Sequence, residues 1–128
     1  MKIEQKGEGI DTINIITFKD FDEIQDFYEV VDMIANCCWL ENEDKNTVNA
    51  IGIAISISRT ILGKPILYIP NELSYDDHDK TLIDKLYEYC CLYTSEIRDP
   101  ECDACGSFKK ITNTFKRQYK KFLSNLNK

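Results

Sequence analysis

Apolar positions along this chain recur at two different periods, and the switches between them mark out its elements. Residues 12–18, Thr-Ile-Asn-Ile-Ile-Thr-Phe, are β-branched and roughly alternating, which predicts a short strand. From Asp20 the spacing lengthens. Phe21, Ile24, Phe27, Val31, Ile34 and Cys38 recur every three or four residues, one face of a helix of about five turns. Asp20 is expected to cap it, with Glu23 in the capping-box position. The opposite face carries Asp22, Glu23, Asp26, Glu29 and Asp32, and no cation follows before Lys45.

Residues 41–47, Glu-Asn-Glu-Asp-Lys-Asn-Thr, predict a polar loop. Residues 47–62 admit two readings. Ile51, Ile53, Ile55 and Ile57 alternate with small residues, as in a strand. Punctuation at both ends favours a helix instead: Asn46 or Thr47 supplies an N-cap, Gly63 sits where a C-cap glycine belongs, and Pro65 follows. That helix is expected to bury Val48, Ile51, Ile55 and Leu62, with Ala50, Ala54, Ile57 and Ile61, on most of its sides.

Ile66, Leu67, Tyr68 and Ile69 form a short expected strand that Pro70 ends. Residues 74–79 lead into another helix, with Leu82, Ile83, Leu86, Tyr89, Cys90 and Tyr93 on its buried side. Asp99-Pro100 and Gly106 bracket an expected loop holding Cys102 and Cys105. Ser107 is then placed to cap a final helix with the stripe Phe108, Ile111, Phe115, Tyr119, Phe122 and Leu126. The sum is an α+β fold: a single domain over residues 1–128, predominantly helical, with one or two short strands and a basic amphipathic helix over residues 107–128.

At 128 residues the chain can bury a core without metal or disulfide help. Its first residues lack the apolar core of a signal peptide, and no apolar stretch approaches a membrane span, so a cytoplasmic protein is expected, in the source cell or an infected host, with no membrane partner.

Charge changes this picture. From residue 104 onward there is no Asp or Glu, while Lys109, Lys110, Lys116, Arg117, Lys120, Lys121 and Lys128 supply seven cations. With -6 on the whole chain, the first 103 residues carry -13. Six of those cations fall opposite the aromatic stripe of the last helix, facing solvent. Local helix stability does not explain them, because Lys109 and Lys110 are expected in a first turn, where cations are unfavourable. Three roles fit such a face: a solvated surface, a phosphate-tracking surface on nucleic acid, or a docking site for an acidic partner or a second copy. The acidic face of the helix from Asp20 is likewise either a solvated surface or a phosphate mimic that fills a basic cleft.

Candidate chemistry is sparse. The six cysteines include two adjacent pairs, Cys37-Cys38 and Cys90-Cys91, which a cytoplasmic reading leaves as thiols packed like small hydrophobes. Cys102 and Cys105 form one CxxC, half of a zinc site that Cys90 and Cys91 could complete; the plainer reading is a loop with two free thiols and no cofactor. Asp76-Asp77-His78-Asp79 resembles an acid-base cluster but sits at an expected helix start, where acidic side chains cap free N–H groups. His78 is the only histidine, so neither a His pair nor a relay is available.

One segment resembles a known family. Leu62-Gly-Lys-Pro-Ile-Leu-Tyr-Ile-Pro70, with the helix before it, resembles the dimerisation region of the Mor family of phage middle-transcription activators, where a hydrophobic helix, a glycine turn and a short strand ending Tyr-Ile-Pro follow one another. The resemblance covers residues 20–70 and implies a homodimer built around Ile66, Leu67, Tyr68 and Ile69, with a helix-turn-helix after it. Here Pro100, Gly106 and two cysteines occupy the stretch of that motif's first helix, which leaves only the helix bearing Lys109 to Lys121 as a recognition element.

The expectation is a non-enzymatic regulator or inhibitor that binds another protein through its acidic face at Asp22, Asp26 and Glu29. Small size and strong acidity suit a product of a phage or mobile element acting on a host protein. The alternative is a DNA-binding transcription regulator using Lys109, Lys110, Lys116, Arg117, Lys120 and Lys121.

Overall fold

The computed structural model describes the backbone over residues 1–36, 40–96 and 103–126, with side chains there except at 10, 93–96 and 103–107. Cys37, Cys38, Asp99, Pro100 and Cys102 lie outside the described residues, as do the side chains of Tyr93, Cys105 and Ser107. In chain order the elements are strand β1 (Lys2–Lys6), strand β2 (Ile13–Thr17), helix α1 (Phe21–Ala35), helix α2 (Asn42–Ile57), strand β3 (Ile66–Pro70), helix α3 (Leu82–Glu96) and helix α4 (Asp103–Leu126). The fold is predominantly helical α+β, as the periodicity predicts, with three strands rather than one or two.

The sheet is antiparallel with order β1-β2-β3, so β2 is its centre and β3, the most apolar strand, lies at an edge. Register sets Ile3 opposite Ile16, and Ile16 opposite Leu67, which makes a buried cross-strand row. Asn14, opposite Ile69, is also fully buried; its amide oxygen accepts from Gln5 Nε2 at 3.1 Å and its nitrogen donates to Asn71 at 3.3 Å. The sequence reading missed β1 for a physical reason. Lys-Ile-Glu-Gln-Lys turns a single apolar side chain inward, and a charged edge strand carries little hydrophobic signal.

Helix α1 begins as expected: the Asp20 carboxylate accepts the Glu23 N–H at 2.9 Å, and Glu23 reaches back to the Lys19 N–H at 3.1 Å. Its buried face is Ile24, Phe27, Val30, Val31 and Ile34, and Phe21 is 52% exposed rather than part of the stripe. Phe27 is the hub, with its ring 5.4 Å from that of Phe18 and 5.3 Å from that of Phe115 on α4. The ladder continues along α4 through Tyr119 to Phe122, with Tyr87 of α3 stacked on Tyr119 at 4.7 Å.

Three boundaries differ from expectation. The polar run at 41–47 is not a loop but the N-cap and first turns of α2: the Asp44 carboxylate accepts the Glu41 N–H at 3.2 Å, and acidic side chains favour the positive end of the helix. Helix α3 starts at Leu82, several residues after the acidic run, because Thr81 and Asp84 cap each other's N–H groups. Helix α4 starts at Asp103, so Gly106 and Ser107 are internal to it; a helical glycine costs only about 1 kcal/mol, which a long aromatic stripe outweighs.

The ambiguous segment is helical, and it ends in one wide π-type turn, Ser58–Leu62. Gly63 closes that turn at φ +61°, in the left-handed region that glycine tolerates best. The helix is one-sided, however. Val48, Ile51 and Ile55 are buried, whereas Ile57, Ile61 and Leu62, expected to be covered, face outward together with Ile53.

Truncating the hub should be far costlier than truncating the helix's first residue. Phe27→Ala is expected to lose about 3–5 kcal/mol of unfolding free energy in urea titration, and Phe21→Ala about 1 kcal/mol or less.

Candidate functional site

The acidic face lies on α1. Asp22 and Asp32 are exposed, while Asp26 and Glu29 are half-buried, and Gln25 Nε2 donates to Glu29 at 3.4 Å. Burial pushes the Asp26 carboxyl up from its usual range, and the nearby charges of Glu29, Asp22, Asp20 and Glu23 push it the same way. The face therefore concentrates negative charge beyond what its own helix neutralises.

Helix α4 packs beside α1 and presents the opposite sign. Lys109, Lys110, Arg117, Lys120 and Lys121 are exposed, over a rise of about 18 Å, while the stripe Ile111, Phe115, Tyr119 and Phe122 is buried. Lys116, expected to face solvent with the others, is half-buried at the rim. Lys19, Asp20, Asp22, Asp26 and Lys110 converge on a cleft of about 250 Å³ between the two helices. Yet among the described residues no ion pair joins Asp22, Asp26 or Glu29 to a cation of α4.

The residues expected to dimerise fall on an edge strand. Leu67 and Ile69 point into the chain's own core; Ile66 and Tyr68 are half-buried, and β3 pairs only with β2 among the described residues. Of the thiols considered for zinc, Cys90 is fully buried and burial pushes it well above its usual range, and Cys91 is half-buried. Cys102 and the Cys105 side chain lie outside the described residues, among which no three His, Cys, Asp or Glu side chains gather as a metal site.

The densest polar constellation was not anticipated. Asp76 and Lys85 are 9% and 13% exposed, with Nζ 2.8 Å from the carboxylate. Lys85 Nζ also lies 2.9 Å from Glu88 and 5.2 Å from the centre of the Tyr89 ring. Asp76 further accepts from the buried Thr47 hydroxyl at 2.8 Å and from Tyr89 Oη at 2.9 Å, and Tyr89 Oη is 3.0 Å from Asp44. Lys80 pairs with Glu88 on the outer side. Three segments are tied together here: the start of α2, the loop before α3, and α3 itself. Asp76-Asp77-His78-Asp79 drew attention as a cluster, but a helix-capping role explained it locally. Asp77 does take a local role, accepting the Asp79 N–H at 3.0 Å, and His78 is exposed. The partners of Asp76 come from Thr47, 29 residues earlier, which no local pattern signals.

Burial works against the charge on Asp76, and the hydrogen bonds from Lys85 and Thr47 overcome it, holding the carboxyl well below the usual carboxylate range. Burial likewise works to lower Lys85, while Asp76 and Glu88 raise it, so the amine stays protonated. Beside this network runs a cleft of about 470 Å³ lined by Leu40, Asp44, Lys85, Tyr87, Glu88 and Cys91. Lys85 is thus held as an ammonium between two carboxylates, and the network ties three segments together.

Because the folded value of Asp76 lies below its unfolded value, about 3.9, its contribution is complete above roughly pH 5 and is lost as pH falls through the folded value. Asp76→Asn is expected to cost about 2–4 kcal/mol at pH 7, since it leaves Lys85 short of a counter-charge. The gap from the parent should narrow between about pH 5 and pH 2, as read by urea titration at each pH.

Compared with protein-family models, curated proteins and solved structures, the chain matches none.

Proposed function

We propose that this is a non-enzymatic binding protein, a regulator or inhibitor that engages another protein through the acidic outer face of α1. One observation carries the reading: two packed helices bear opposite charge on outward faces and, among the described residues, leave Asp22, Asp26 and Glu29 without a cation from α4. Charge that a fold does not neutralise internally raises association rates and selects partners of opposite sign. Asp26 is raised first by burial and then by its carboxylate neighbours, and a basic surface offsets the second of these. The buried network supports the same reading, because its lysine and carboxylates are engaged with one another rather than held ready for a substrate.

The partner expected is a protein with a basic cleft. Replacing Asp22, Asp26 and Glu29 together by lysine is expected to weaken binding to a purified partner by about 10- to 100-fold while the unfolding midpoint holds or rises. Unchanged affinity for every partner recovered from the source cells would overturn the acidic face as the working surface.

A second reading rests on Lys109, Lys110, Arg117, Lys120 and Lys121, exposed along one side of α4. It makes the chain a DNA-binding regulator. The net -13 of the first 103 residues opposes a duplex in every other orientation, and screening over about 8 Å at physiological salt leaves only direct contact. The expected outcome is no retention on duplex DNA at about 150 mM salt. Retention that falls steeply with salt, and less steeply in Lys-to-Ala variants of α4, replaces the first reading with the second.

A further inference from the structure

We propose that the outer face of α2 is a self-association surface, on which a second copy of this chain packs about a two-fold axis. Ile53, Ile57 and Ile61, four residues apart, form one ridge and are 62%, 43% and 74% exposed, with Leu62 beside them at 45%. A single exposed isoleucine is ordinary, but a continuous row of them along one helix is not.

The backbone keeps that row straight. Four residues of α-helix turn about 400°, so a ridge of every fourth residue drifts about 40° per step. The wide turn at Ser58–Leu62 takes up part of this drift, and Ile61 lines the same groove as Ile53 and Ile57. Such π-type turns are frequent at functional sites.

On each side of the ridge runs a groove. One, of about 580 Å³, lies between α1 and α2 and has Gly52 and Ser56 in its wall; the other, of about 280 Å³, lies between α2 and β3 and includes Ala54, Tyr68 and Leu82. A ridge flanked by grooves on the same patch is self-complementary, which a two-fold interface requires: each copy's isoleucines enter the other's groove.

Charge decides for a second copy over a foreign partner. Between residues 46 and 62 the single charged side chain is Arg59, in a chain that is 30% charged, and its guanidinium sits over the Tyr28 ring of its own chain at 4.7 Å. Two molecules of net charge -6 repel through the acidic face of α1, whereas the isoleucine ridge of α2 carries no acidic side chain and the flanking grooves bring one carboxylate each, Asp32 and Glu72, at their far walls. The ridge itself, Ile53, Ile57, Ile61 and Leu62, presents no charged group by which an interface selects an unlike partner.

Area sets the strength. Residues 49–62 span about 21 Å, and a groove on either side at helix-packing distances widens the patch to roughly 20 Å, a footprint of about 400 Å² per copy. Doubled, that falls short of the roughly 1,200–2,000 Å² of a standard stable interface, so the dimer is reversible rather than obligate.

Sedimentation equilibrium over roughly 5–500 µM chain should show the mass rising from 14.9 kDa toward twice that value, with little dependence on salt. Ile53→Glu/Ile57→Glu is expected to remain monomeric throughout, with unchanged circular dichroism and an unfolding midpoint at high dilution equal to the parent's. The α1 charge reversals, by contrast, should leave the mass curve unchanged, which separates failure of this proposal from failure of the acidic-face reading. A parent chain monomeric at every concentration overturns the proposal. So does a dimer that survives the two glutamates or dissolves in salt, and if the glutamates unfold the protein, Ile61→Lys, in the most exposed position, decides by the same measurement.

Discussion

Lys85 is the residue on which the arrangement of the C-terminal half depends. Its ammonium sits between Asp76 and Glu88, almost out of solvent, and Asp76 in turn holds Thr47 and Tyr89. Burying charge costs several kcal/mol per ion unless good geometry and further hydrogen bonds compensate. Here the compensation arrives only when the start of α2, the loop before α3 and the first turns of α3 meet at once. The network therefore contributes less to net stability than to uniqueness of assembly: displacing any one segment strands a buried charge.

The second organising feature is aromatic. Phe18, Phe27, Phe115, Tyr119 and Phe122 form a ladder from the sheet to the end of α4, which fixes how α1 and α4 sit side by side. The consequence for function is electrostatic. The same packing that buries both apolar stripes turns the acidic side of one helix and the basic side of the other outward on a shared flank, around a common cleft. The segregated charge of α1 and α4 and the isoleucine ridge on α2 are separate surfaces of the fold.

Much of the fold was legible wherever a few neighbouring residues decide the outcome. Asp20 with Glu23 marked the start of α1, alternation marked β2, Gly63 and Pro65 marked the end of the second helix, and the three-to-four spacing of α4's aromatic residues marked its buried side. The readings that differed share a cause. β1 is a strand because β2 offers it a partner, not because Lys-Ile-Glu-Gln-Lys prefers extension. Residues 41–47 are polar because they cap and begin a helix, most of them in solvent and Asp44 and Thr47 turned to the Asp76 network, which composition cannot separate from a loop. Phe21 counted as core by spacing, yet at the first position of its helix it has no neighbour to cover it.

Sequence alone determined the period of β2, α1, α3 and α4, the Asp20 cap of α1, and the split of charge between an acidic body and a cationic tail, because these depend on side chains within a few residues of one another. Only the tertiary structure decided which side of α2 is covered, and that Asp76 serves Lys85, Thr47 and Tyr89 rather than a helix terminus. Those outcomes depend on contacts between separate elements, from nine residues apart for Lys85 to 29 for Thr47, whose pairing is set by burial of the whole core and leaves no periodic trace in the chain.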